Sequence, residues 1–190
     1  MAFRIVGGHP ALDLANTVAP RQPGGEDFLS SPEALLHWAV RAGVVRPAEA
    51  ERIGPAWARS PAVGEEALAD VRAVRAMIDP GLAGRGLDRL TRRWAAAIGR
   101  SALVPGQSRA ELEVGADPAL LIADRLADAV VDLLRHADRG RLRACPIAEG
   151  GCGWLFLDRS RNGSRRWCAM DDCGTQAKSR RLTERRRALR

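Results

Sequence analysis

The chain has 190 residues, 46% of them hydrophobic and 28% charged, which excludes a disordered or fibrous polymer and suits one ordinary core plus a small appended module. No run of about eighteen apolar residues occurs, which excludes a membrane-spanning helix of the usual kind. The formal net charge is +7, but residues 139–190 hold fourteen Lys or Arg against five Asp or Glu, while the other 138 residues hold sixteen against eighteen. The positive excess thus belongs to the last quarter of the chain, and that quarter is expected to meet a polyanion.

Lys178 is the single lysine, so the basic groups are almost all guanidiniums, which fork onto phosphates and guanine edges. A general bias toward arginine accounts for the choice of Arg over Lys. It does not account for the confinement of the charge to one end. The N-terminus lacks the apolar run of a signal peptide, and the expected location is the cytoplasm.

Phe3 to Val6 reads as a short strand, closed by Gly7-Gly8. Ala11 to Val18 is apolar but ambiguous in period. Residues 21–26 are a Gly- and Pro-rich loop. Ser30 or Ser31, Pro32 and Glu33 make a helix start, and Leu35, Leu36, Ala39 and Val40 form its stripe up to Gly43. A second helix begins near Pro47 and runs toward Trp57, with a kink or break expected at Pro55. A third spans about 65–78 and stops at Asp79-Pro80-Gly81. A fourth spans about 87–98.

Residues 101–104 and 110–114 flank a turn and read as a hairpin. Asp117 and Pro118 open a long apolar-striped helix that ends near Arg139-Gly140. The periodicity stops there. The expected domains are 1–140, helical, and 141–190, built on cysteines. The fold class is mainly α with a small β component (α+β).

All four cysteines, Cys145, Cys152, Cys168 and Cys173, lie within twenty-nine residues. Two close pairs of thiolates form a tetrahedral zinc shell, and four cysteines leave no position for a catalytic water. Two disulfides or four inert thiols are the competing readings; a reducing compartment favours metal. The expectation is one structural zinc ion.

Asn162-Gly163 is a hairpin-turn signal, so residues 154–167 read as strand, turn, strand. Residues 176–190 read as a helix whose first turn carries Cys173. Knuckle, hairpin and helix around one zinc give a treble-clef-like module, too small to fold without its metal.

The residues from Cys145 to Arg181 resemble the CGNR zinc finger. The resemblance lies in Trp154-Leu155-Phe156-Leu157-Asp158-Arg159-Ser160-Arg161-Asn162, in Ser164-Arg165-Arg166-Trp167-Cys168, and in Cys173-Gly174 followed by Ala177-Lys178. The segment Gly8-His9-Pro10-Ala11-Leu12-Asp13-Leu14-Ala15-Asn16-Thr17-Val18 resembles the ABATE domain that precedes this finger. The resemblance implies a bacterial stress-responsive transcription regulator, with DNA binding by the finger and sensing or assembly by the N-terminal domain. This chain departs from the pattern at Thr175 and Gln176, where the motif has Asn and Arg.

Candidate nucleic-acid contacts are Arg159, Arg161, Arg165 and Arg166 in the turn, and Gln176, Lys178, Arg180, Arg181 and Arg185 on the helix. Charge that wraps around a helix suits phosphates more than base edges. Trp154, Phe156 and Trp167 read as the small core around the metal, with base stacking as the competing role. His9, Asp13 and Asn16 form a possible ligand pocket, against the simpler reading of turn and cap residues.

No nucleophile elbow, phosphate-cradling glycine loop or metalloprotease motif occurs, so no enzyme activity is expected. The favoured reading is a zinc-dependent DNA-binding regulator, with a homodimer and a small-molecule effector as further partners. An RNA-binding protein and a zinc-stapled protein-interaction module are the alternatives.

Overall fold

The computed structural model describes residues 4–21 and 24–188, apart from the side chains of residues 181, 184, 185, 187 and 188. Two compact units are not the two halves of the sequence: one joins residues 1–28 to residues 138–190, and the other is residues 29–137. The second junction lies near the expected boundary at 140. The first, at residue 28, has no sign in the sequence.

The chain opens with helix α1, Pro10–Ala15, capped by His9, whose Nδ1 accepts from the Ala11 amide at 3.3 Å. The ambiguous apolar stretch from Ala11 to Val18 therefore divides: Ala11 to Ala15 are helical and buried, Asn16 and Thr17 form a buried turn, and Val18 opens a strand. Strands β1, Val18–Ala19, and β2, Glu26–Asp27, pair antiparallel after it. Phe3 lies outside the described residues, and residues 4–6 are not a strand.

The second unit holds α2, Pro32–Arg41; α3, Pro47–Arg59; α4, Pro61–Arg75; and the short α5, Ile78–Leu82. Then come α6, Leu87–Ile98; the hairpin β3, Ala102–Pro105, with β4, Ala110–Glu113; and α7, Leu121–His136. Of the two candidate caps for α2, Ser31 serves: its Oγ accepts from the Ala34 amide at 3.2 Å. Pro55 does not break α3, which continues through it. Asp79-Pro80-Gly81 does not end a helix but sits inside α5, where Pro80 occupies the first turn and no earlier carbonyl needs its missing N–H. Helix α7 begins three residues later than Pro118, because the Asp117 carboxylate closes a local turn on the Ala119 amide at 2.9 Å.

Helix α7 is the centre of this unit and packs on α4, α5 and α6. Leu121, Ile122, Leu126, Val130 and Leu133 are buried along it. Two buried carboxylates bind the helices together. Asp124 takes Arg93 at 2.7 Å and Arg100 at 2.8 Å. Glu49 takes both forks of Arg125, at 2.7 and 2.8 Å, and also Arg46 at 2.7 Å. No helix among the described residues is long and apolar enough to cross a membrane.

Back in the first unit, β5, Leu142–Ala144, pairs antiparallel with β6, Leu155–Leu157, and helix α8, Thr175–Ala188, closes the described chain. The strand after Asn162-Gly163 expected from the sequence does not form. Instead β6 takes its partner from before the first cysteine. Asp158 draws residues 160–165 into a tight loop around its carboxylate, so they cannot run alongside β6.

Candidate metal centre and basic face

The N-terminal segment completes the cysteine module. On β6, the Leu155 amide donates to Asn16 Oδ1 and the Leu155 carbonyl accepts from Asn16 Nδ2, both at 2.8 Å. A side-chain amide thus plays the part of a neighbouring strand. The Leu157 amide donates to the Gly7 carbonyl at 2.9 Å, Trp154 Nε1 to the Val18 carbonyl at 2.9 Å, and the Arg21 amide to the Cys152 carbonyl at 2.8 Å. Asp13 caps the preceding loop, accepting from the Val6 and Gly7 amides at 2.9 and 2.7 Å. Burial pushes its carboxyl above the ordinary value, and those two amides pull it back. His9, Asp13 and Asn16, candidates for a ligand pocket, therefore serve the chain's own backbone.

Around this frame lies one small core: Ala19, Cys145, Trp154, Phe156, Trp167, Cys168, Cys173 and Ala177. Cys145 follows β5. Cys152 returns from a knuckle in which Gly151 is obligatory, since a Cβ there would stand 2.7 Å from Cys145 Sγ and 2.8 Å from the Pro146 carbonyl oxygen. Cys173 sits in a helical turn, Met170–Gly174, that runs directly into α8.

The four sulfurs all lie within 4.8 Å of one another. Cys152 and Cys168 are 3.4 Å apart, Cys168 and Cys173 3.7 Å. A zinc–sulfur bond of about 2.3 Å implies sulfur–sulfur edges of about 3.8 Å in a tetrahedron. The spacing fits that shell and is far too long for disulfides.

Hydrogen bonds from Cys152 and Cys168 pull the Cys145 thiol down to about 2. Donating to Cys145 pushes Cys152 up to about 12 and Cys168 up as well. One thiolate with thiols aimed at it is what protons make of a four-sulfur shell. A dication at its centre would let all four ionise.

The arginines expected to touch nucleic acid divide into two sets. Arg165 is locked: Nε donates to the Trp167 carbonyl at 3.0 Å, Nη2 reaches the carbonyls of Cys168 and Val6, and the guanidinium lies 4.5 Å over the Phe156 ring. Arg159 is exposed but donates to the Gly8 carbonyl at 2.6 Å. Arg161 is exposed at the loop tip, and Arg166, 54% exposed, pairs with Glu149 and lies 5.8 Å from the Trp167 ring. Gln176 donates to Asp172 at 2.7 Å and Thr175 to the Met170 carbonyl at 2.9 Å. The two departures from the motif thus have local roles on the first turn of α8. Lys178 and Arg180 are exposed on α8, and the side chains of Arg181 and Arg185 lie outside the described ones.

Sequence reading missed Arg141 and Arg143. Arg141 ends the turn Arg139–Arg141 directly before β5, which begins three residues before Cys145, and Arg143 lies within β5; their spacing of two is a signal that period-two inspection could have found. Arg141 Nη1 donates to the Ser160 carbonyl at 2.7 Å, while Arg143 is exposed.

Residues 8–137, more than half of the chain, match the ABATE family, described as "Putative stress-induced transcription regulator". The chain belongs to that family. Residues 141–186 match the CGNR zinc finger. The two matches together support a zinc-binding protein of regulator type, and neither family is one of enzymes. No curated protein matches the chain. The ABATE match spans the junction at residue 28, so the described residues it covers before that junction belong to the same compact unit as the finger.

Proposed function

We propose that the chain is a transcription regulator that binds duplex DNA through its zinc module, with Cys145, Cys152, Cys168 and Cys173 holding one structural zinc ion. The observation that carries this reading is the convergence of four sulfurs within 4.8 Å inside the segment that holds all of the chain's positive excess. The metal would supply the folding energy that so small a core lacks, and the arginine surface would supply affinity for phosphates.

Duplex is favoured over single strands by the aromatics. Trp154, Phe156 and Trp167 are 4%, 0% and 7% exposed. Single-strand binders stack bases on open rings, and these three rings are committed to the core. What the module offers outward is guanidinium, which suits the backbone of a helix.

The test is fluorescence anisotropy with labelled duplex DNA over a range of salt, with and without a zinc chelator. If about six arginines neutralise phosphates, log K falls with log salt at a slope near −5, and chelation abolishes binding. Tighter binding to single-stranded RNA moves the reading to RNA. No affinity for either at low salt leaves a protein-interaction module.

A further inference from the structure

One face of the zinc module carries an open groove of about 330 Å3 lined by Arg143, Ala144, Pro146, Gly163, Ser164, Arg165 and Arg166. Its wall is rigid. Asp158, 1% exposed, accepts from the Ser160 amide at 2.9 Å, the Ser160 hydroxyl at 2.6 Å and the Arg165 amide at 2.8 Å. Arg141 fastens the same loop from the β5 side through the Ser160 carbonyl. Gly163 takes a φ of +61°, the left-handed conformation the turn requires. The loop is therefore shaped before any ligand arrives, and little ordering entropy opposes binding.

The charged side chains among the groove's lining residues are arginines. Arg143 is exposed, and its Nη1 donates to the nearby carbonyls of Gly140 at 2.7 Å and Leu142 at 3.2 Å. Arg166 is bound by the Glu149 carboxylate, which reaches over from the knuckle. Carboxylate and phosphate make the same two-oxygen match to a guanidinium.

We propose that this groove seats one phosphodiester of the DNA backbone between Arg143 and Arg166, with Ser164 as a hydroxyl donor. In this proposal Glu149 is an internal competitor that holds Arg166 until the phosphate displaces it. The inference rests on the DNA-binding reading above and gives that reading a location. It places the phosphate away from Arg165, whose Nε and Nη2 are spent on the chain's own carbonyls, and does not use Arg159, which is absent from the groove's lining.

The experiment is duplex-DNA anisotropy on the zinc-loaded full chain, its R143A/R166A variant and its E149Q variant, at several salt concentrations. The double variant is expected to bind at least tenfold more weakly, with the salt slope shallower by about 1 for each arginine removed. E149Q is expected to bind about twofold to fivefold tighter, the range that loss of one exposed ion pair gives. D171N, which removes the same charge and frees Arg4, an arginine outside the groove that Asp171 holds at 2.8 Å, measures the background of releasing one guanidinium, and E149Q must exceed it. Inorganic phosphate added at constant ionic strength should compete weakly, because the duplex brings many phosphates at once.

If the parent binds duplex DNA and the double variant matches it in affinity and slope, the proposal falls while the DNA reading stands. E149Q no tighter than D171N overturns it too, and that arm decides alone should the double variant lose its zinc. Competition by inorganic phosphate as strong as by duplex makes the groove a free-anion site and overturns it. If the parent binds no duplex DNA at any salt, the DNA reading has failed first.

Discussion

Asn16 and Leu155 are 139 positions apart in sequence, and the side-chain amide of the first makes both hydrogen bonds of a strand neighbour with the backbone of the second, each at 2.8 Å. The pair is buried, so neither Leu155 group has water to fall back on. Removing the amide by N16A leaves a donor and an acceptor unpaired, at a cost of about 2–4 kcal/mol. We expect N16A to lower the resistance of the zinc module to denaturant and to quicken zinc loss to a chelator. The inserted helical unit has its own core and should keep its transition. Stopped-flow zinc release, read beside far-UV circular dichroism, checks both parts. Zinc release at the parent rate would mean that the amide merely decorates β6.

The same relationship makes the finger dependent on the start of the chain. Residues 141–186 match the CGNR family by themselves, yet β6 without residues 4–21 has one edge open and Trp154 loses the Val18 carbonyl. A peptide of residues 138–190 should therefore bind zinc more weakly than the full chain, and adding a peptide of residues 1–28 should restore part of the difference. Competition for zinc against a chromogenic chelator measures it. Equal affinity with and without the first segment would show the finger to be autonomous.

Metal removal should act on one unit only. Chelation under reducing conditions is expected to melt α8 and the knuckle, because the eight-residue core around the sulfurs cannot hold the module alone. Helices α2 to α7 should survive, with most of the helical signal. C145S and C173S should reproduce the chelated state. Elemental analysis of the purified chain should give one zinc per chain. A cooperative loss of all helix on chelation would contradict the independence of the helical unit's core.

Much of this organisation was legible in the sequence, and the illegible part has a physical cause. The cysteine cluster, the helical composition of residues 29–137 and the start of α2 at Ser30 or Ser31 follow from local signals: spacing, periodicity and serines before a proline; only the structure selects Ser31. The Asn16–Leu155 pair leaves no local trace. An asparagine after a short helix reads as a turn residue, because its use depends on a backbone far along the chain. The partner of β6 was hidden for a related reason. Asn162-Gly163 is a sound hairpin signal by itself, but Asp158 spends the loop's amides, and a strand without free amides cannot pair. Pro55 and Pro80 misled because a proline breaks a helix only where the lost hydrogen bond and the clash are not accommodated.

Glu49 gives the helical unit a pH dependence. Hydrogen bonds from Arg125, then from Arg46, hold its carboxyl well below the ordinary 4.5 despite burial. In the unfolded chain it takes up a proton near that ordinary value. The stabilisation is thus fully present above about pH 4.5 and is lost as pH falls below it toward the depressed folded value. E49Q removes the charge at all pH values and leaves Arg125, 18% exposed, without its carboxylate. A loss of about 3 kcal/mol is expected at neutral pH, toward the low end for a broken buried pair, since the carbonyls of Val44 and Val114 remain. Urea melts from pH 3 to 7 should show E49Q losing less stability on acidification than the parent. Parallel pH profiles would mean that other carboxylates govern the acid limb.

Arg165 separates structure from contact. Its guanidinium is spent on the carbonyls of Val6, Trp167 and Cys168 and on the Phe156 ring, so it fastens the N-terminal segment and the second cysteine pair in one stroke. A lysine carries the same charge but is a point donor that cannot fork across three carbonyls and lie flat on a ring. R165K should therefore weaken zinc retention and thermal stability while leaving DNA affinity, measured under zinc saturation, unchanged. A residue that contacts phosphate behaves the opposite way: R166K keeps zinc and loses affinity, because lysine keeps the charge but not the fork. Zinc retention and DNA affinity measured on both variants form a crossed comparison. A loss of affinity in R165K with zinc retention intact would return Arg165 to the binding face and show that its donors can be turned outward.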